Sequence, residues 1–282
     1  MIRRLFSTFR FPLSTFCMLL AIDIGNSATK FGVFDRAEIT SRFNIPTVRT
    51  NTAADFDSQI KNHSAEVFTA VVVSSVVPEL NDAYRQFAGD FHNLEVFFVD
   101  NSFSFGLKIN YHPLKSIGVD RLVAASAAVE KYGKPCLVCD FGTATTIDAV
   151  NSGGEYLGGI IAPGMSLLAD ALFRKTSKLP RIEIVKPAQV IGNSTVRSMQ
   201  SGIYFGYIGL VDGIIGRMIG ELGETPCVVA TGGFAEIIAE SSERIQTVDE
   251  TLMLDGLRLI YEKTLSIKSV SEVKNQTDQS RA

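Results

Sequence analysis

Residues 19–35 read LLAIDIGNSATKFGVFD: an apolar strand runs into Asp23, a Gly25-Asn26-Ser27 turn follows, and a second apolar strand carries Lys30. A plain hairpin needs only the turn. The arrangement recurs further along the chain. Set residues 20–29, LAIDIGNSAT, against 137–146, LVCDFGTATT, and Asp23 falls on Asp140, Gly25 on Gly142 and Thr29 on Thr146. One such hairpin says little, but two in register predict a duplicated domain. The expected fold is an α/β chain of two lobes facing each other across a cleft, each offering a glycine turn.

The position of the two aspartates carries chemical information. Each precedes its turn inside an apolar strand, where an unpaired charge is expensive. Backbone N–H groups at such turns cradle anionic oxygens, and a carboxylate beside them suits Mg²⁺ held by phosphates. The plainer alternative is two ordinary hairpins with turn residues. A third glycine turn, VVATGGFAEII at 228–238, leads a strand through Thr231-Gly232-Gly233 into a helix and lets backbone approach a ligand closely. No G-x-x-x-x-G-K-[ST] run and no G-x-G-x-x-G after a strand occurs, which excludes the P-loop and dinucleotide-binding patterns.

Around these turns the pattern reads as a three-strand meander (LLAID, TKFGVF, ITSRFNI), a helix-like DFDSQIKNHS, a doubly buried strand AVVVSSVVP (70–78) and a short strand EVFFVD (95–100). VDRLVAASAAVEKY (119–132) is a periodic, Ala-rich helix that ends near Gly133-Lys134-Pro135. By residues alone, Asp120 at its start is a helix cap and Arg121 a surface cation. YFGYIGLVDGIIGRMIGEL (204–222) is apolar almost throughout and studded with glycine, which fits close-packed helices, a buried core helix or a homodimer face.

The 282 residues, 46% hydrophobic, suffice for two lobes, and 27 basic against 30 acidic side chains give a net charge of −3. That balance argues against a nucleic-acid partner, and no stretch is expected to span a membrane. Four cysteines are too few and too irregular for a disulfide framework, so a reducing, cytoplasmic setting is expected. Cys136-x-x-Cys139 falls on a predicted strand, where the two side chains point to opposite faces, so it reads as core and not as a metal site. Residues 1–17 hold three Arg and no acid, the composition of a targeting leader, but Met18 directly before the first strand fits a mis-called start equally well. Residues 18–117 and 118–265 are expected as the two lobes, and the polar tail 266–282 as disordered.

Taken together, Asp-x-Gly-Asn-Ser-x-x-Lys, Asp-x-Gly-Thr-Ala-x-Thr and Thr-Gly-Gly resemble the actin, Hsp70 and sugar-kinase superfamily of ribonuclease H-like lobes. Gly118-Val119-Asp120-Arg121 resembles the Gly-x-Asp-Arg signature of type III pantothenate kinases, and Tyr111, GGIIAPG (158–164) and GNSTVRSMQSG (192–202) extend the likeness. Ser27 stands where that family usually has Thr, which keeps the hydroxyl. The resemblance implies transfer of the ATP γ-phosphoryl group to the 4′-hydroxyl of pantothenate, the first step towards coenzyme A. It assigns Asp23, Ile24, Gly25, Asn26, Ser27, Ala28, Thr29 and Lys30 to ATP, with Thr143, Gly232 and Gly233, and has Asp23 hold Mg²⁺ through water. Asp120 is implied as the proton acceptor. Tyr111, Gly118, Val119 and Arg121 line the pantothenate pocket, and Asp140 binds a monovalent cation, K⁺ or NH₄⁺. Thr195 is implied to reach pantothenate from the neighbouring subunit of a homodimer. The alternatives are another small-molecule kinase of the superfamily, or a non-enzymatic accessory transcription regulator.

Overall fold

In the computed structural model, which describes residues 18–279, two mixed sheets share one plan. The first lobe runs β1 (Met18–Ile24), β2 (Ala28–Asp35), β3 (Glu38–Pro46), α1 (Ala53–Lys61), β4 (Ala70–Ser75), α2 (Asn81–Gln86) and β5 (Val96–Phe98). The second adds β6 (Lys108–Ile109), α3 (Val119–Tyr132), β7 (Cys136–Phe141), β8 (Ala144–Val150), β9 (Glu155–Pro163), α4 (Met165–Lys175), α5 (Thr195–Leu222), β10 (Cys227–Thr231), α6 (Ala235–Ala239), β11 (Thr247–Val248) and α7 (Leu252–Gln279).

The sheet orders are β3-β2-β1-β4-β5 and β11-β10-β7-β8-β9-β6. In each, an antiparallel meander is followed by a parallel strand on the other side of its first strand, so β1 corresponds to β7 and β4 to β10. This is the duplicated ribonuclease H-like, actin-like architecture. The register corrects one detail of the internal match. Thr29 lies across from Ile24, whereas Phe141 lies across from Thr145, so the second turn is one residue tighter and Thr29 corresponds to Thr145, not Thr146. Both threonines are buried.

Alternation along the central strands sorts the core into layers. Leu19 and Ala21 of β1 and Cys136 and Val138 of β7 face a shared inner core filled by α3 and α7. Leu20, Ile22 and Ile24 face Phe56, Ile60 and Tyr84 on the outside of the first lobe. Leu137, Cys139 and Phe141 face α4, α5 and α6 on the outside of the second. Cys136 and Cys139 thus sit on opposite faces as free thiols.

Three expectations are revised here. β6 precedes residue 118 yet pairs with β9, and α7 packs on β1 and β4 as well as on α3, so the lobes interleave and do not divide cleanly at 117/118. The helix α7 continues to Gln279, through most of the tail expected to be disordered. No Gly or Pro follows Gly256, and once a helix is nucleated by a packed first half, extension costs little. Third, α5 is long and apolar enough to cross a membrane by length and composition. Its Tyr204, Tyr207, Val211 and Ile215 are nevertheless buried in the outer core of the second lobe, so one face of the helix packs on the protein, and its glycines and scarce charges raise its hydropathy. Residues 1–17 lie outside the described residues.

Candidate active site

Asp23 and Asp140 are each the penultimate residue of a central strand, on the face that the inner core shares, and the charge of Asp140 is felt at Asp23. Ligands of α/β proteins gather at such carboxyl ends of strands. Asp23 lies across from Lys30 on one side and beside Ser74 on the other. Asp140 lies across from Thr146 and beside Thr231. Asp120, near the start of α3, completes the group, and its charge is felt at both Asp23 and Asp140.

Crowding of three acids away from water sets the electrostatics. Asp23 keeps part of its surface open to the cleft, yet desolvation, opposed by Lys30 and reinforced by Asp120 and Asp140, pushes its carboxyl up to about 7. Burial likewise raises Asp140 and Asp120, the latter against the opposing backbone N–H and charge of Arg121. The sign for stability follows: the folded, ligand-free protein holds these protons more tightly than the unfolded chain, so the contribution of these groups to stability is fully present below the ordinary carboxylate value of 3.8 and is lost as pH rises towards about 7. Asp23→Asn should flatten this decline and raise the thermal midpoint at pH 8. A midpoint that still falls by the wild-type amount across that window would remove Asp23 as its source.

The two hairpin tips meet. Gly25 N–H closes the first turn on Ala28 O at 3.1 Å, Gly142 N–H closes the second on Ala144 O at 3.2 Å, and the Ser27 and Thr143 hydroxyls touch across the cleft at 2.7 Å. Asn26, Ser27 and Ala28 are exposed at the first tip, Ile24 and Thr29 buried beneath it. The end of β3, which sequence reasoning passed over, buttresses this tip. Thr47 donates its N–H to Ser27 O at 3.1 Å and its hydroxyl to Gly25 O at 2.8 Å, and meets the Thr29 hydroxyl at 3.0 Å. Beyond the second tip, Gly232 (φ +96°) presses on Asp140, where a Cβ would stand 2.5 Å from Oδ1. Gly233 follows it, exposed at the start of the turn into α6.

The pair Asp120-Arg121 is neither cap nor surface cation. Gly118 holds the N-cap position, and the Arg121 N–H donates to Asp120 Oδ1 at 2.9 Å. Gly118 also makes room for that carboxylate, since a Cβ there would fall 2.4 Å from Asp120 Oδ1. Val119, partly buried, begins the helix between them. Arg121 is buried, and its Nε and Nη2 donate to Asp148 at 2.5–3.1 Å. Tyr156 OH donates to the same carboxylate at 2.7 Å. Tyr111 places its ring 6.0 Å from the guanidinium carbon, in space left by Gly158, where a Cβ would stand 2.9 Å from the ring. Asp148 and Tyr156 escaped the sequence reading. The signal was present for Asp148, a carboxylate inside the apolar run TTIDAV, which is the same cue that singled out Asp23 and Asp140.

Two features bear on bound ions. Among the described residues no group of three or more His, Cys, Asp or Glu is arranged to hold a metal. Asp140 Oδ1, Thr231 Oγ1 and Ser74 Oγ are buried without a hydrogen-bond partner, oxygen atoms of the kind a hard cation takes. Thr195 is the one predicted residue the chain does not bring to the cleft. It opens α5, exposed, beside a cavity of about 1130 Å³ between α4 and α5 lined by Leu168, Leu172, Met199 and Ile203.

Comparisons with known proteins agree with this geometry. The family profile described as type III pantothenate kinase matches residues 19–217. The type III pantothenate kinase of Koribacter versatilis (strain Ellin345) is 41% identical over 265 residues, 88% of this chain and 97% of that protein. That of Anaeromyxobacter sp. (strain Fw109-5) is 46% identical over 252 residues, 87% and 99% of the two chains. Among solved structures, a Campylobacter jejuni protein described as a conserved Baf family transcriptional activator superposes with a TM-score of 0.57 at 18% identity, over 88% of this chain and 99% of that one. The ethanolamine utilization protein EutJ of Carboxydothermus hydrogenoformans gives 0.51 at 16%, over 86% and 89%. At these identities the structures speak for the fold alone. The sequence matches reach further: this chain belongs to the type III pantothenate kinase family.

Proposed function

We propose that the cleft transfers the γ-phosphoryl group of ATP to the 4′-hydroxyl of pantothenate, with Asp120 as the proton acceptor. The observation that carries this reading is the placement of Asp120: it sits at the start of α3 beside Gly118, and its charge acts on both Asp23 and Asp140, the aspartates that lead into the two glycine hairpins. Phosphoryl transfer demands positioning and charge neutralisation more than covalent chemistry. Gly25 and Gly142 keep the turns closed, the tip residues Asn26, Ser27 and Thr143 line the phosphate path, and the Ser27–Thr143 contact opens to admit the phosphates. Gly232 and Gly233 give the nucleotide a close approach on the far side. Lys30 supplies positive charge along the phosphate path. The charge neutralisation that this chemistry needs at the ATP phosphates would come from Mg²⁺. Asp23 fits it through water, as a single carboxylate open to the cleft. As the 4′-oxygen attacks phosphorus, its proton passes to Asp120 and ADP leaves with the electron pair of the broken P–O bond. Tyr111, Gly118, Val119 and Arg121 hold the acceptor substrate beside Asp120, and Arg121 pairs with its carboxylate.

The orphaned oxygens of Asp140 and Thr231 support a monovalent cation, K⁺ or NH₄⁺, on the second hairpin. The test of both assignments is ATP consumption with pantothenate in potassium and sodium buffers. Wild type should turn over pantothenate faster with K⁺ or NH₄⁺, and Asp140→Ala should lose that activation. Equal wild-type rates in the two buffers would overturn the cation site, and no pantothenate-dependent turnover would overturn the reaction.

We also assign a homodimer with a shared site. On α5 the outward Gly202, Gly206, Gly209 and Gly220 have no neighbour where a Cβ would stand, and Leu172, Phe173, Ile191 and Val196 expose apolar surface around Thr195. A second copy covering this face lets Thr195 reach its partner's pantothenate. Mixing inactive Asp120→Asn with inactive Thr195→Phe should then restore activity, because one site of each mixed dimer is intact. No recovery after confirmed subunit exchange, or a monomer by sedimentation, would end the idea. On this reading a cytoplasmic setting is proposed, supported by the free thiols of Cys136, Cys139 and Cys227.

A further inference from the structure

Asp148 stands on the inner face of β8, 2% exposed, with three donor groups on one carboxylate: Nε and Nη2 of Arg121, and the hydroxyl of Tyr156. Such a buried ion pair is a poor device for stability, because apolar residues of the same volume serve a core at least as well. What it fixes is orientation. A guanidinium presents five N–H groups in a rigid planar fork. Asp148 occupies the Nε–Nη2 edge and leaves the Nη1 edge, with two donors, unclaimed by this carboxylate. The Tyr111 ring limits the guanidinium on another side, and Tyr111 is itself seated over Gly158. Arg121 directly follows Asp120 in α3, and its charge acts on the Asp120 carboxyl.

Asp148 already neutralises Arg121, so the pair offers an incoming anion directed hydrogen bonds and little net attraction. Recognition by directed bonds depends steeply on aim. We infer that Asp148 is a positioning residue that aims the Nη1 edge of Arg121 at the carboxylate of the acceptor substrate, and that it thereby sets the preference for the acid over uncharged analogues. This rests on the reading of the cleft as the pantothenate site.

The experiment is steady-state kinetics at saturating Mg-ATP with two acceptors, pantothenate and the alcohol analogue that carries CH₂OH in place of its carboxyl group. Wild type should favour the acid. Asp148→Asn keeps the volume but sets an NH₂ group against donors. Its pantothenate KM should rise about 10- to 100-fold, as expected for losing one hydrogen bond to a charged group. Its ATP KM should stay near wild type, and the ratio of kcat/KM for acid over alcohol should fall towards one. Tyr156→Phe removes one donor to Asp148 and should move the same ratio in the same direction by less. It also serves as the test if Asp148→Asn does not fold. A variant that loses overall activity but keeps the wild-type ratio would overturn the inference, since a purely structural role predicts that result. Wild type inactive on pantothenate would overturn the cleft assignment and this inference with it. Wild type active but indifferent to the carboxyl group would overturn the inference alone.

Discussion

Replacing Asp120 by Asn is expected to lower kcat on the order of 10²–10⁴-fold, the usual contribution of a positioned proton acceptor. Asn has nearly the same volume, and its oxygen can still accept the Arg121 N–H that now bonds Asp120 at 2.9 Å. The substitution also removes the cost of burying a carboxylate, so the thermal midpoint should not fall and the loss should be in turnover. The pH profile adds a second readout. A base acts only when ionised, and burial raises the Asp120 carboxyl above the ordinary range. Wild-type kcat should therefore decline as pH falls through that elevated value and level off above it. In Asp120→Asn the residual rate should lack this limb. Near wild-type turnover in the variant would move the proton acceptor elsewhere.

Gly118→Ala should cost turnover on the order of 10²-fold, the penalty of roughly an ångström of misplacement at the reacting centre. The backbone at Gly118 (φ −59°, ψ 128°) accepts any residue, so alanine brings no strain of its own. Its Cβ would fall 2.4 Å from Asp120 Oδ1, however, and nothing else stands within 3 Å of it. The short carboxylate side chain can rotate away without disturbing the helix. The fold should survive, and Asp120 should be held in the wrong place. An unchanged kcat with an unchanged midpoint would mean that the close approach of Gly118 to Asp120 plays no part in the reaction. The Gly-x-Asp spacing thus has a steric reason: glycine is required because the carboxylate takes the space of its missing side chain.

What the sequence determined by itself was the pattern that local physics writes into a chain. Alternating apolar residues placed β1, β2 and β3, and the even spacing of small apolar residues placed α3 at Val119–Tyr132. The repetition of aspartate, glycine and hydroxyl residues announced the two lobes, and an aspartate inside an apolar strand marked Asp23 and Asp140. The same cue at Asp148 went unread because no glycine turn stood beside it. Tertiary structure alone decided the rest. The one-residue difference between the turns, which pairs Thr29 with Thr145, depends on strand register, and an ungapped match cannot register a shorter loop. Arg121 looked like a surface cation because its partner Asp148 is far away in sequence and reaches it only when β8 packs under α3. The buttress by Thr47 and the interleaving of α7 with both lobes are contacts between distant segments, invisible to periodicity. Apolarity told that α5 needed burial, and only packing told which face is buried in this chain and which glycines are left looking outward.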